Sequence, residues 1–259
     1  MGEKLKILVT VKTYPQPSRT YGEIVCTAGV CQDGTFVRLY PVEYRYLPDW
    51  RWYKKYQWIE VAAERHPRDP RPESYRPIGP IQPGEPISTK GNWAERKRYV
   101  LAGQVRTMCE LNRKDQSEVS LAIMRPKTVQ DLVVEAAERE WKPEWIEARK
   151  QLKLFGPDKK PVEKIPYKFS YKFLCAEPGC TGHKMMIEDW EVGQLYRKMR
   201  DRFEDEETAC LKVRDRFYGN MCAIDKDTYF FVGTVLEHGT WIVLGTFWPK
   251  KHPANPGRA

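Results

Sequence analysis

Three residues of types that bind transition metals lie close together in the second half of the sequence. Cys175, Cys180 and His183 fall within nine residues, and Pro178-Gly179 stands between the two cysteines. Zinc takes thiolate and imidazole ligands that converge on a tetrahedron, and a tight turn brings two thiolates towards one point. The pattern therefore predicts a structural zinc site, in which the thiolates are ionised by the metal and His183 binds as the neutral imidazole.

The predicted zinc site needs a fourth ligand from outside this segment. Cys222 is the preferred candidate, because Cys210 lies on the apolar face of a predicted helix, and Asp189 or a water molecule would also complete the site. A water molecule in an open fourth position would make the metal catalytic instead. Two alternatives stay open: loop cysteines that bind no metal, and an iron–sulfur cluster with His183 replacing one cysteine.

Aromatic and basic residues are interleaved in one segment of the first half. Eight aromatic residues lie between Tyr40 and Trp58. Stacking on an exposed ring contributes about 1–3 kcal/mol per base, and cations between the rings neutralise phosphates, so the segment predicts a surface for single-stranded nucleic acid. The residues predicted to form this surface are Arg38, Tyr40, Arg45, Trp50, Arg51, Trp52, Tyr53, Lys54 and Lys55. The alternative is that these rings pack into the core or under loops.

Acidic residues in two other segments are candidates for acid–base or metal-assisted catalysis. Asp69 and Glu73 follow His66 in a proline-rich stretch, and Asp189 and Glu191 lie at the start of a predicted helix. Carboxylates from distant positions can hold Mg²⁺ or Mn²⁺ for phosphodiester cleavage. The structural alternatives are surface ion pairs for the first two and a favourable interaction with the helix dipole for the other two.

The charge balance favours a polyanionic partner. The 259 residues carry 44 Lys+Arg and 35 Asp+Glu, a net charge of +9, and the sequence pI is 9.1. The segment from Lys150 to Lys172 contains seven lysines and only two acidic residues, Asp158 and Glu163. Such an excess predicts salt-sensitive binding to a phosphate backbone, although a lysine-rich linker that maintains solubility would look the same.

The Walker, Rossmann, HExxH and GxSxG motifs are absent from the sequence.

Composition and the first residues exclude several classes of protein. Twelve per cent aromatic residues argue against a disordered chain, and a collagen-like or coiled-coil composition is also absent. The sequence contains no apolar run of about 18 residues that would span a membrane. The N-terminus lacks a secretory signal, and seven cysteines is an odd number. We therefore expect a basic cytoplasmic protein with free or metal-bound thiols.

Hydrophobic periodicity predicts an α+β fold. Short alternating strands in the first 65 residues, with an Asp33-Gly34 hairpin turn, indicate a small β-sheet or partial barrel, for which an OB-like barrel is one option. A mixed α/β C-terminal unit with the zinc-stabilised loop should follow. The predicted segments are a β domain (1–65), a proline-rich connector (66–90), a mixed segment (91–166), a strand, metal-loop, helix and hairpin unit (167–249) and a frayed tail (250–259).

Individual elements follow from the same patterns. We expect one helix over 92–108, a helix over 189–203 and an aromatic strand over 167–174, whereas 128–140 is ambiguous between strand and helix.

These features together favour a nucleic-acid-binding protein with a structural zinc ion, and the sequence leaves DNA and RNA equally open. A metal-dependent nuclease or phosphodiesterase that uses the acidic residues is the first alternative. The second is a protein-interaction adaptor, in which exposed tryptophan and tyrosine side chains form a hot spot for a protein partner. The sequence makes no prediction of oligomeric state.

Overall fold

The first half of the chain is built from strands, and the second half mixes strands with helices. The computed structural model describes residues 2–18, 21–152 and 162–251. The strands are β1 (Glu3–Lys12), β2 (Gln16–Ser18), β3 (Gly22–Val30), β4 (Phe36–Val42), β5 (Gln57–Arg65), β6 (Ser74–Pro77), β7 (Gln82–Pro86), β8 (Val105–Arg106), β9 (Leu121–Met124), β10 (Pro126–Ala136), β11 (Tyr167–Cys175), β12 (His183–Met186), β13 (Tyr229–Thr234) and β14 (Trp241–Phe247). The helices are α1 (Lys90–Val100), α2 (Met108–Asn112), α3 (Pro143–Leu152), α4 (Trp190–Phe203) and α5 (Glu206–Arg214). Short 3-10 turns cover Tyr44–Tyr46 and Asp49–Arg51, and a π-helical segment, Asp215–Asn220, continues α5.

Five strands of the first half close into a barrel. Their order is β1-β3-β4-β6-β5, and β5 pairs again with β1. The long strand β1 makes both contacts, since Glu3–Leu8 pairs with β5 and Leu8–Lys12 pairs with β3. Every neighbouring pair is antiparallel except β4 and β6. A five-stranded barrel of this connectivity is an OB fold.

Alternation along the strands fills the inside of the barrel. Leu5, Ile7 and Val9 of β1 point into a core with Leu39 of β4 and Ile59 of β5, and all five are buried. The intervening side chains of β1 face the other way, because successive residues of a strand point to opposite faces. The apolar period of two in the sequence therefore predicts the inner face of the barrel correctly.

The barrel extends beyond residue 65, where the sequence predicts its end. β6 lies inside the proline-rich segment and closes the barrel between β4 and β5, and β7 adds to the outer edge of β5. Proline is tolerated here because Pro77 ends a strand and Pro83 and Pro86 lie in an edge strand. The proline-rich segment thus contributes one strand to the barrel and one to its edge, in addition to connecting the two parts of the chain.

The second half contains two small sheets that share one core with the helices. Strands β10, β11 and β12 form one sheet, and β14, β13, β9 and β8 form the other. Alternate residues of β11, namely Phe169, Tyr171 and Phe173, are buried against Tyr196 of α4 and Phe230 of β13. The α+β fold class, with an N-terminal barrel and a mixed C-terminal unit, is therefore confirmed.

Three details of the second half differ from the sequence-based expectations or lie outside them. The single helix expected over 92–108 ends at Val100, and Val105–Arg106 forms β8 before α2 begins. Most of the ambiguous stretch is a strand, because β10 ends at Ala136 and pairs with β11 along nearly its whole length. The predicted frayed tail lies outside the described residues from 252 onwards. Among the described helices, none has the length and apolarity required to cross a lipid bilayer.

Candidate metal centre and nucleic-acid interface

The side chains of four residues between positions 109 and 183 converge on one point. The ligand atoms of Cys109, Cys175, Cys180 and His183 all lie within 4.8 Å of one another. The Sγ atoms of Cys109 and Cys175 are 3.5 Å apart, and His183 Nε2 lies 3.4 Å from Cys109 Sγ and 3.3 Å from Cys180 Sγ. Sulfur atoms about 2.3 Å from a tetrahedral zinc ion would be about 3.8 Å apart. This group, which we call the Cys3His cluster, could therefore hold a metal ion.

The elements around the Cys3His cluster bring its members together from two distant parts of the chain. Cys175 ends β11, Cys180 lies in the loop that follows and His183 begins β12. Cys109 lies in the first turn of α2, whose N-cap residue Thr107 accepts a hydrogen bond from the backbone N–H of Glu110.

Glu177 connects the loop between β11 and β12 to α2. Glu177 accepts a hydrogen bond from Thr107 Oγ1 over 2.9 Å and another from Arg113 Nη1 over 2.6 Å. Since Thr107 and Arg113 flank Cys109 in sequence, these bonds hold the loop that carries Cys180 against the helix that carries Cys109.

The pKa values of two thiols in the Cys3His cluster are shifted in opposite directions. Burial opposes ionisation of Cys175, but hydrogen bonds from the backbone N–H groups of Cys109 and Glu177 and from His183 outweigh it and lower its pKa to about 6. Burial and the neighbouring sulfurs of Cys175 and Cys180 raise the pKa of Cys109 to about 12. Several thiolates so close together repel one another, and a divalent cation would remove that repulsion.

Cys222 is not part of the Cys3His cluster, and Cys109 takes the place predicted for it. Cys222 Sγ donates to the carbonyl oxygen of Phe217 over 3.3 Å, beside the π-helical segment. Cys210 is buried in α5, as expected for a core residue. Sequence reasoning missed Cys109 because it lies 66 residues before Cys175 and has no cysteine or histidine beside it. Its position at the start of a helix capped by Thr107 is the one local signal.

The segment predicted to bind nucleic acid divides into a buried and an exposed part. Tyr53 is fully buried, and its hydroxyl lies 2.6 Å from the hydroxyl oxygen of Thr27. Tyr44 donates a hydrogen bond to the carbonyl oxygen of Tyr53 over 2.7 Å, and Lys12 Nζ lies 4.0 Å from the Tyr44 ring centroid. Both rings are buried in the barrel core, and internal partners satisfy their hydroxyl groups.

Three of the predicted cationic residues are engaged inside the protein. Arg38 is 2% exposed, and its guanidinium donates to Ser74 Oγ over 3.0 Å. Lys55 Nζ lies 2.6 Å from Asp189 Oδ2, with both side chains buried. Arg45 pairs with the buried carboxylate of Glu23 at 2.7 Å. Placing Arg38 and Lys55 on a nucleic-acid surface is therefore wrong, because each satisfies a buried partner from a distant part of the fold.

The remaining part of the segment is at the surface. Trp50 is 66% exposed and Trp52 is 44% exposed, and Lys54 is exposed as well, whereas Arg51 is half-buried. The Arg51 guanidinium lies over the Trp50 ring at 4.4 Å from its centroid. Tyr40 is only partly exposed and contacts the ring of His66. We call residues 50–54 without the buried Tyr53 the Trp50–Lys54 surface.

The first pair of acidic candidates joins the barrel to the C-terminal half. Asp69 accepts two hydrogen bonds from Arg71, over 2.8 and 2.6 Å, and Arg71 in turn donates to the carbonyl oxygen of Thr234. Burial opposes ionisation of Asp69, but the bonds from Arg71 and Ser74 outweigh it and lower its pKa to about 2. Glu73 accepts hydrogen bonds from the backbone N–H and the hydroxyl group of Ser120.

The second pair of acidic candidates lies at the start of α4. Asp189 caps this helix by accepting from the backbone N–H of Glu191 over 2.9 Å, and Lys55 contacts both carboxylates. Among the described residues, the Cys3His cluster is the only group of three or more histidine, cysteine or acidic side chains that could hold a metal. The structure therefore does not bring Asp69, Glu73, Asp189 and Glu191 together.

Fold and site define the class of this protein: an OB barrel joined to an α/β half that carries a Cys3His cluster. Residues 104–258 match a domain of unknown function (DUF8757), and residues 3–102 match a second one (DUF8758). Because the first match covers more than half of the chain, the protein belongs to the DUF8757 family. The boundary between the two matches lies between α1 and β8.

Similarity to other proteins is limited. No curated protein matches the chain. One solved structure, described as that of a murine DNA binding protein bound with double-stranded DNA, is 9% identical with a TM-score of 0.32, and the alignment covers 99% of this chain and 100% of that one. At this TM-score, the similarity supports no conclusion about fold or function.

Proposed function

We propose that this protein binds single-stranded nucleic acid through the Trp50–Lys54 surface and that a structural zinc ion in the Cys3His cluster stabilises its C-terminal half. The observation that carries the first part is the exposed Trp50 ring with the Arg51 guanidinium over it. The second part rests on the convergence of three sulfurs and one imidazole nitrogen.

The Trp50–Lys54 surface offers the two interactions that a single strand needs. Exposed indoles stack on bases, whereas Arg51 and Lys54 supply positive charge for the phosphates between them. The net charge of +9 adds a long-range attraction for polyanions.

The surface by which OB barrels usually bind ligands is covered in this protein, so a nucleic-acid strand would bind at another surface. In OB barrels the second and third strands face the ligand, and in this barrel these are β3 and β4. Arg38 of β4 is buried under Ser120 of the C-terminal half. The Trp50–Lys54 surface lies in the connection between β4 and β5 and stays accessible.

Zinc is the metal that suits the donor set best. Three cysteines and one histidine form a closed tetrahedral set, which is typical of structural zinc sites. A fourth protein ligand leaves no open position for a substrate or a reactive water molecule. The ion would join α2 to the loop between β11 and β12 and contribute to folding stability. We do not propose metal-dependent cleavage, because each of the four acidic candidates is engaged by a neighbouring protein group.

Fluorescence anisotropy with labelled oligonucleotides tests the proposed binding. We expect saturable binding to single-stranded DNA or RNA, weaker binding to a duplex, and an affinity that falls steeply between about 50 and about 200 mM salt as counterions are released. No binding at low salt, or an affinity independent of salt, would contradict the proposal. A stoichiometric protein partner that remains after nuclease treatment would favour a protein-interaction adaptor instead.

A further inference from the structure

A pocket of about 420 Å³ opens where the barrel meets the C-terminal half. Tyr14 and Gln16, from the connection between β1 and β3, form one side, and Trp141, Tyr167 and Glu188 lie among the residues opposite. The volume is in the range of small-molecule sites, and the loop after the first strand is one that contacts ligands in OB barrels. We call this cavity the Trp141 pocket.

The walls of the Trp141 pocket suit a flat aromatic ligand. Trp141 and Trp145 have ring centroids 5.9 Å apart, and both contribute to the lining, together with Tyr167. The indole nitrogen of Trp141 donates to the carbonyl oxygen of Val162 over 3.0 Å, which fixes the ring in place. Stacking on such a ring is a general means of holding a nucleobase.

Tyr14 is held firmly on the barrel side of the pocket. Its hydroxyl donates to the carbonyl oxygen of Glu163 over 2.7 Å. Its ring lies against Gly193 of α4 so closely that a Cβ atom there would come within 2.2 Å of it. A hydrogen bond and close packing therefore hold the Tyr14 ring in place, and a ligand would meet a preformed surface.

Glu188 supplies a hydrogen-bond acceptor to the pocket. Its Oε2 accepts a hydrogen bond from Gln16 Nε2 over 3.3 Å. Burial raises the pKa of Glu188 to about 7, although the hydrogen bond from Gln16 and the charge of Lys168 oppose this effect. An ionised carboxylate can only accept hydrogen bonds, and its two oxygens suit a ligand with two adjacent N–H donors.

Positive charge lies beside the aromatic wall. Lys142 Nζ is 5.8 Å from the Trp145 ring centroid and Lys164 Nζ is 5.7 Å from that of Trp141, and Lys168 also lines the pocket. Lys164 Nζ lies 3.2 Å from Glu138 Oε2, another lining residue, so Lys142 and Lys168 are the lysines that would oppose a methylated ammonium ligand, which two indoles and a carboxylate would otherwise suit. The same lysines would attract a phosphate group attached to a stacked base.

We propose that the Trp141 pocket binds a guanine nucleotide, with the base on the indole wall, its N1–H and N2–H₂ edge on Glu188 and its phosphate near Lys142 and Lys168. Among the common bases, guanine alone presents two adjacent N–H donors on its Watson–Crick edge. The proposal builds on the proposed function, since the guanine is either a free nucleotide or a nucleotide of the bound strand.

Calorimetric titration of the full chain with GMP, AMP, CMP and UMP tests the proposal at about pH 8.5, above the pKa of Glu188. We expect saturable binding of GMP and at least about tenfold weaker binding of the other three nucleotides, as the loss of a hydrogen bond to a charged group implies. Glu188→Gln and Trp145→Ala should each weaken GMP binding about tenfold or more. Glu237→Gln, at an exposed position outside the pocket lining, is the matched control.

A second titration separates the two sources of guanine and the two proposals. An oligothymidylate with one internal guanine should bind more tightly than plain oligothymidylate only if the pocket takes a nucleotide of the strand. Trp50→Ala should weaken strand binding and leave GMP binding unchanged, so either proposal can fail without the other. Absence of GMP binding, equal binding of all four nucleotides, preference for tetramethylammonium, or GMP binding unaffected by both pocket variants would overturn the proposal.

Discussion

Arg38 of the barrel is hydrogen-bonded to Ser120 of the C-terminal half. Its Nη1 donates to Ser120 Oγ and its Nη2 to the carbonyl oxygen of Ser120, each over 2.9 Å. Glu73 accepts two further hydrogen bonds from Ser120, so one residue joins two barrel segments. This contact buries Arg38 on the outer face of β4, so Arg38 is not available to a nucleic-acid strand.

Removing one cysteine of the Cys3His cluster should release the metal. Cys109→Ser leaves three ligands, so we expect the metal content to fall from about one ion per chain to well below one. The melting temperature should fall with it, because binding free energy of a structural zinc ion is folding free energy. Elemental analysis and thermal unfolding measure both quantities. Cys222→Ser is the control, and a loss of metal in that variant instead would contradict the assignment of Cys109.

Removing the exposed indole should weaken strand binding. Trp50→Ala should cost about 1–3 kcal/mol of binding free energy, the contribution of one stacked base, at unchanged thermal stability. Phe203→Ala provides a matched control, since Phe203 is also exposed and has a neighbouring arginine over its ring. Anisotropy titrations measure both variants. Equal losses in the two would show that Trp50 has no specific role.

The buried ion pair between Lys55 and Asp189 should behave as one unit. Lys55→Met leaves a buried carboxylate without its cation, and we expect a loss of roughly 3–5 kcal/mol in the free energy of unfolding. The variant with both Lys55→Met and Asp189→Asn should lose much less than the sum of the single variants. Urea unfolding gives all three values.

An exposed ion pair provides the comparison for this cycle. Lys114→Met, which removes one partner of the exposed pair with Glu118, should cost less than about 1 kcal/mol. Additive losses at Lys55 and Asp189 would be evidence that the two side chains do not interact.

Asp69 should make the protein sensitive to acid. Its pKa lies below the ordinary value, so folding favours the ionised form and the stabilisation is complete above about pH 4. As the pH falls towards 2, about 2 kcal/mol should be lost. Urea unfolding between pH 2 and about 5 measures this slope. Asp69→Asn should flatten it, whereas Asp201→Asn, at a largely exposed position, should not; an unchanged slope in Asp69→Asn would refute the assignment.

Local patterns in the sequence predict local parts of the structure. The period of two in β1 and β11 predicts the buried faces, and the short spacing from Cys175 to His183 predicts three members of the Cys3His cluster. Tertiary folding brings in the fourth member, Cys109, because α2 lies across the loop after β11. The sequence around Cys109 contains no pattern that predicts this contact.

The aromatic segment shows why composition alone cannot separate a surface from a core. Tyr53 and Trp52 are neighbours of similar type, yet one is fully buried and the other is 44% exposed. Lys55 finds its partner Asp189 134 residues further along the chain. Tyr53 is buried by the barrel core itself and Lys55 by an element far along the chain, and neither arrangement can be recognised from the composition of this segment.

Photochemical cross-linking to a single-stranded oligonucleotide, followed by mass spectrometry of the peptides, tests the central claim most directly. We predict that the bound strand cross-links to the peptide that contains residues 50–54, and that Trp50→Ala with Trp52→Ala removes this product. Cross-links confined to other surfaces, with none at this peptide, would contradict the account.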